Sequence, residues 1–196
     1  RGFFYKKELA NLRKFDSKLQ GHPERGSLPG IETTSGPLGC GLSQAAGMAY
    51  SLQYLSGNSG RFVYCSLGDG ELDEGNIWEA AMFAKKYNLS NLIAIVDRNN
   101  IQIGGDTEKV MPLGDLADKW RSFGWEAQEI DGHNYSAIVQ AIDKAKNSRQ
   151  PSVIIAHTIP GRGVDFMEYD YRWHGKSPNA EEAERALAQL SEGGGE

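Results

Sequence analysis

Two short polar clusters hold the residue types and spacing that could do chemistry. Gly68-Asp69-Gly70 ends the apolar run Phe62–Leu67, and Asp97-Arg98-Asn99-Asn100 ends the apolar run Leu92–Val96. A helix-like segment lies between them. Two such runs joined by a helix are the sequence form of a strand–helix–strand unit in a parallel sheet. Ligands of parallel sheets gather at the carboxyl ends of the strands. Asp69 and Asn99 would then present hard oxygens at neighbouring strand ends. That suits Mg²⁺, which takes octahedral oxygen ligands, few from protein and the rest from phosphates and water. The glycines around Asp69, Gly68 and Gly70, would let backbone come close to a diphosphate. A lone Gly-Asp-Gly is commonly just a turn. Specificity comes from the whole run, in which Glu74-Gly75, a helix, an apolar strand and a terminal Asn-Asn follow.

The elements that must position these residues can be read from hydrophobic period. Alternating apolar runs and amphipathic segments predict an α/β fold, a parallel sheet with helices on both faces. Strands are expected near 61–67, 92–97, 125–130 and 152–157. Residues 3–20 read as a helix, with Leu9, Leu12, Phe15 and Leu19 spaced by three and four. Residues 21–37 form a Gly/Pro-rich loop too long to be idle, and His22 sits in it, where a plain surface histidine is an equal reading. Residues 38–56 turn helical with small residues that permit close packing. Thr33-Thr34-Ser35-Gly36 precede that helix as a possible anion site. A helix over 73–88 turns Ile77, Ala80, Ala81 and Ala84 inward, with Asp73 as its N-cap. Gly104–Pro112 is a polar loop and 115–123 a helix. Asn134 caps the helix Tyr135–Asn147, whose core face is Ile138, Val139, Ile142 and Ala145. Residues 1–178 read as one domain, and 179–196 as a short terminal helix and tail.

Composition excludes several classes. The chain has 196 residues and a net charge of −5, which argues against a general nucleic-acid surface. No apolar run is long enough for a membrane span, and Arg1–Gln20 is too charged for a signal peptide. Two cysteines, Cys40 and Cys65, are too few for a disulfide framework and lack metal-ligand spacing. A reducing, cytoplasmic compartment fits. A nucleotide-binding Rossmann protein is the main rival, but Gly-x-Gly-x-x-Gly does not follow a first strand.

From His22 onward the chain resembles transketolase, in the half that binds the diphosphate of thiamine diphosphate. The resemblance rests on GHPE at 21–24, PGIETTSGPLGCGLSQAAGMA at 29–49, GDGELDEGNIWEA at 68–80, LIAIVDRNN at 92–100, DGHN at 131–134 and GRGVDFMEYDYRWHG at 161–175. It is strongest to members whose two halves are separate polypeptides. The resemblance implies a thiamine diphosphate-binding fold with Mg²⁺ held by Asp69, Asn99 and the Ile101 carbonyl. Gly36, Leu38, Gly68, Asp69, Gly70, Glu71, Asn99, Ile101 and His174 would line the cofactor. His22 would contact the substrate's first hydroxyl, His174 would assist proton transfers, and Glu74 would act at the subunit interface near the site. The cofactor would carry the hard chemistry, the transfer of a two-carbon ketol unit from a ketose phosphate to an aldose phosphate.

The same resemblance implies partners. The acid that activates the aminopyrimidine belongs to the other half, so a C-terminal, pyrimidine-binding subunit is expected, in a dimer of heterodimers. Leu72, Ile77, Trp78 and the aromatics of 166–173 are candidates for that interface. The sequence departs from the family in two ways. An N-terminal segment with two more active-site histidines does not precede residue 1, so the sheet is expected to lack its first elements. Gly104-Gly105 stands where Asp-Gly is usual, which should alter only a local turn. A non-catalytic or truncated thiamine-fold module is the alternative from another class. Within enzymes, 1-deoxyxylulose-5-phosphate synthase and the α subunit of 2-oxo-acid dehydrogenases share the metal motif, but the His22 and His174 contexts favour transketolase. His133, in a strand-to-helix turn, reads as structural, and His157 is ambiguous.

Overall fold

The computed structural model describes residues 2–56 and 60–192. The chain divides into two compact units, Arg1–Leu38 and Gly39–Glu196. The second unit holds four parallel strands in the order β1-β2-β6-β5: β1 Val63–Gly68, β2 Leu92–Arg98, β6 Ser152–His157 and β5 Glu126–Asp131. A separate two-stranded hairpin, β3 Ile101–Gln102 and β4 Gly105–Asp106, follows β2 directly. Its turn is Ile103-Gly104, so the departure at Gly104-Gly105 falls in a tight hairpin.

Strand alternation divides the core between the two faces of the sheet. Leu92, Ala94 and Val96 of β2 and Val153 and Ile155 of β6 face one layer. That layer is built from α1 Cys40–Tyr50, α2 Gly75–Lys86 and α4 Leu116–Ser122, the last preceded by the single turn α3 Thr107–Val110. Ile93 and Ile154 face the other way, onto Ala141 and Ala145 of α5 Tyr135–Lys146. Burial on both faces explains why the central strands read as continuous apolar runs rather than as alternation. The four expected strands and the α2 face of Ile77, Ala80, Ala81 and Ala84 are as read from the sequence. The last helix is α6 Ala180–Glu192. The tail residues 193–196 lie outside the described residues. Among the described residues no helix is long and apolar enough to cross a membrane.

Four expectations are corrected. The helix over 3–20 is not formed. The first unit contains one six-residue 3-10 turn, Lys6–Asn11, and Arg13 and Asp16 take left-handed φ values of +62° and +57°. Leu9, Leu12 and Phe15 stay exposed. Most helical stability in proteins comes from burying the apolar face, and here that face is not buried. In α5, Val139 is exposed and Ala141 takes the core position. Asp73 does not cap α2. It ends a 3-10 turn, Gly70–Asp73, and Glu74 is the N-cap, without a side-chain cap bond. Leu72 and Ile77 are 1% and 0% exposed inside this chain's own core, so they cannot be offered to a partner. Trp78 stacks on Phe123 and leans on Trp120.

Candidate functional site

The site begins at the paired ends of β1 and β2. Gly68 is in register with Asp97, so both strands finish level. Asp69 follows β1 and is 1% exposed. Its Oδ1 accepts from the Gly70 N–H at 2.7 Å and from the Thr107 hydroxyl at 3.3 Å. Its Oδ2 accepts from the Asn100 N–H at 2.7 Å and from the Arg98 guanidinium at 2.9 Å. A buried carboxylate is costly unless it is hydrogen-bonded, and here four donors surround it.

The turn after β2 supplies the remaining oxygens. Asn100 takes a left-handed φ of +64°, which swings its N–H onto Asp69. Asn99 Oδ1 accepts from the Ile101 N–H at 3.1 Å, which holds the amide against the turn. Opposite, a Cβ on Gly70 would run into Gln102 Oε1, so a side chain there would push the end of Gln102 aside. A buried carboxylate, an amide oxygen and a main-chain carbonyl beside a glycine cradle form the hard-oxygen donor set that a divalent cation and a diphosphate require. Asp69, Asn99 and Ile101 carry oxygens of those kinds at the level ends of β1 and β2, and Gly68 and Gly70 flank Asp69.

The acids that follow have different jobs. Glu71 bridges backbone: Oε1 accepts from the Gly39 N–H at 2.7 Å and Oε2 from the Gly68 N–H at 3.2 Å. It therefore ties the start of α1 to the end of β1. The negative charge expected at the α1 N-terminus is thus supplied from inside the protein. The Asn76 side chain donates to the Gly39 carbonyl at 3.1 Å and completes this brace. Glu74 is exposed at the start of α2, with no capping bond of its own. Partial burial pushes the Asp73 carboxyl up, and the Asp69 charge adds to it.

His22, Gly36 and Leu38 lie in the first unit. Within it, His22 packs on Gly36: a Cβ on Gly36, which has φ +130°, would lie 3.2 Å from the imidazole Cγ. The Ser35 N–H donates to the Pro23 carbonyl at 3.0 Å and the Arg25 N–H to Thr34 Oγ1 at 3.1 Å, so the loop closes on itself. His22 and Leu38 are exposed. His174 is also exposed and ends the 3-10 turn Tyr171–Trp173, which packs against β4 of the hairpin after Ile101. His133 accepts the Ile159 N–H at 2.7 Å and is structural, as read from the sequence. His157 pairs with Glu129 at 2.8 Å.

Three residues around Asp69 escaped the sequence reading: Arg98, Thr107 and Glu108. Arg98 is 8% exposed and links Asp69 to Glu108, whose Oε1 lies 2.5 Å from Nη2. Partial burial would raise the Glu108 carboxyl, but the Arg98 guanidinium and the Leu113 N–H outweigh it and hold the group below the usual range. A signal for Arg98 was present. It shares a strand face with Val96, so a cation there must be buried and must find an anion.

The sequence profile described as the transketolase, thiamine diphosphate binding domain matches residues 2–191. An apulose-4-phosphate transketolase subunit of Phocaeicola vulgatus is 40% identical over 193 residues, 98% of this chain and 68% of that protein. The 6-deoxy-6-sulfo-D-fructose transketolase subunit SqwG of a Clostridium species is 42% identical, over 99% of this chain and 70% of that protein. Among solved structures, transketolase from Campylobacter jejuni superposes with a TM-score of 0.88 at 35% identity, over 94% of this chain. This chain spans only 30% of that structure. With matches across nearly its whole length, the chain belongs to the transketolase family, as its thiamine diphosphate-binding domain.

Proposed function

We propose that this chain is the diphosphate-binding half of a split transketolase. It transfers a two-carbon ketol unit from a ketose phosphate to an aldose phosphate together with a pyrimidine-binding partner subunit. The observation that carries the reading is the buried Asp69 carboxylate, set level with the Asn99-Asn100-Ile101 turn in a chain whose relatives are named as transketolase subunits. Asp69, Asn99 and the Ile101 carbonyl hold Mg²⁺, and the Gly68 and Gly70 backbone accommodates the diphosphate. When bound, thiamine diphosphate supplies the nucleophilic carbon that takes up and passes on the ketol unit. The chain's own groups orient and exchange protons. The exposed imidazole of His174 assists proton transfers, and that of His22 binds a substrate hydroxyl. Leu38 offers an exposed apolar surface to the cofactor, and Gly36 lies against His22.

Glu71 acts on the cofactor through the backbone it braces. Glu74, exposed at a helix start, is a hydrogen-bonding acid across the interface, and the assembly is a dimer of heterodimers, since closed symmetry is the usual solution. The setting is sugar-phosphate metabolism of the pentose phosphate type in the cytoplasm. The test mixes the purified chain with a pyrimidine-binding half and follows ketol transfer, alongside calorimetry of thiamine diphosphate with Mg²⁺. Activity is expected only in the mixture, with cofactor binding abolished by Asp69→Ala. Full activity of the isolated chain as a monomer refutes the partnership, and unchanged cofactor affinity in the variant refutes the metal site.

A further inference from the structure

We propose that Arg98 is an internal counter-ion for the metal carboxylate, a positioning residue that makes cation binding conditional on the diphosphate. The inference rests on the reading of Asp69 as a cation ligand. Arg98 reaches Asp69 Oδ2 at 2.9 Å from β2, in a setting where Arg98 is 8% and Asp69 1% exposed. A second guanidinium nitrogen lies 2.5 Å from Glu108 Oε1, and Glu108 also accepts the Leu113 N–H at 3.2 Å. The guanidinium is therefore fixed from both sides and cannot swing into solvent without breaking two ion pairs.

The charge count sets the consequence. Without Arg98 the site would be one buried anion with two neutral oxygens, a conventional cation trap. With Arg98 the Asp69 charge is already neutralised, and Glu108, the acid that restores a net negative charge, lies on the far side of the guanidinium. A divalent cation arriving alone meets a fixed positive charge a few ångströms away and gains little. A cation arriving with a diphosphate brings its own anion, and the positive charge of Arg98 then favours the pair. Arg98 also helps the Gly70 N–H, the Thr107 hydroxyl and the Asn100 N–H to keep the Asp69 oxygens in place before loading. The cation is then retained only with the diphosphate.

The test is Mn²⁺ binding, followed by loss of the free-ion paramagnetic resonance signal, with and without thiamine diphosphate. Wild type is expected to bind Mn²⁺ weakly alone and tightly with the cofactor. Arg98→Gln keeps a hydrogen-bond donor but no charge. Its affinity for Mn²⁺ alone should rise at least about tenfold, a floor well below the roughly thousandfold that one unit charge about 4 Å away gives at an effective dielectric near 20. The gain from adding cofactor should shrink accordingly. Arg98→Lys keeps the charge and should bind as wild type does, which a purely structural role for the guanidinium would not predict. The proposal is overturned if wild type binds Mn²⁺ alone as tightly as with cofactor, an outcome that needs no variant to fold. It is also overturned if a folded Arg98→Gln shows unchanged affinity. Wild type that binds neither Mn²⁺ nor thiamine diphosphate in combination refutes the cation-site reading itself.

Discussion

Asp69→Asn tests whether the carboxylate is a structural keystone before any ligand arrives. The substitution is nearly isosteric, so no cavity forms, but the donor pattern changes. Four donors point at the two oxygens: Gly70 N–H and Thr107 hydroxyl at Oδ1, Asn100 N–H and Arg98 at Oδ2. An amide can accept on one side only. The better choice keeps its oxygen toward Asn100 and Arg98, since the Thr107 hydroxyl can rotate to accept from the new NH₂. The Gly70 N–H is then left facing a donor, which costs about 1–3 kcal/mol. Arg98 also loses its buried anion, which by itself would cost roughly 3–5 kcal/mol. Glu108 remains as a partner, with its side chain 43% exposed, so that figure must be discounted heavily. A total near 3 kcal/mol is expected, which for a chain of this size lowers the melting temperature by roughly 6–12 °C. The assay is urea and thermal unfolding of the cation-free, cofactor-free chain. Asp69→Asn/Arg98→Leu should recover part of the loss, because the orphaned cation is gone. A loss below about 1 kcal/mol, with no coupling between the two positions, would refute the argument that Asp69 and Arg98 sustain each other.

Three other outcomes are expected. Gly70→Ala places a Cβ against Gln102 Oε1, so the Gln102 side chain must shift. Calorimetry should show weaker thiamine diphosphate binding, partly restored by Gln102→Ala, with only a small change in cofactor-free stability. Burial, reinforced by the Glu71 charge, pushes the Cys65 thiol up to about 12. Alkylation of the folded chain near pH 8 should therefore label Cys40 alone, and unfolding should release the second thiol. The lowered Glu108 carboxyl contributes stability that is present above the ordinary carboxylate range and is lost as pH falls through its depressed value. Glu108→Gln should flatten the acid limb of the stability profile of the cofactor-free chain while leaving its slope near neutrality unchanged.

How much of this was legible depended on how far each residue's partner lies along the chain. The central sheet was readable because a strand buried on both faces must be apolar at successive positions, and Leu92–Val96 and Val153–Ala156 are. Asn134 was readable as a cap because its partner, the Ala137 N–H, is three residues away. The segment 3–20 misled for the converse reason. Period three-and-four spacing shows which face a helix would bury, but not whether anything buries it. Leu9, Leu12 and Phe15 remain exposed, and the backbone turns left-handed at Arg13 and Asp16.

Glu71 shows the same limit inside the site. By residue type it is one more acid in an acidic turn, and only the family resemblance set it apart from a solvated side chain. Its partner, the Gly39 N–H, lies 32 positions earlier. Only the packing of α1 against α2 brings the two together. Arg98 is intermediate, because its burial followed from strand alternation while the identity of its anion did not. The carboxylate it meets comes from the neighbouring strand, and the parallel register of Gly68 with Asp97 sets the two ends level. A site motif read as Asp and Asn alone therefore leaves out the buried charge that pairs with Asp69. In the proposed loading order that charge, more than the oxygens, decides whether a cation would bind before its diphosphate does.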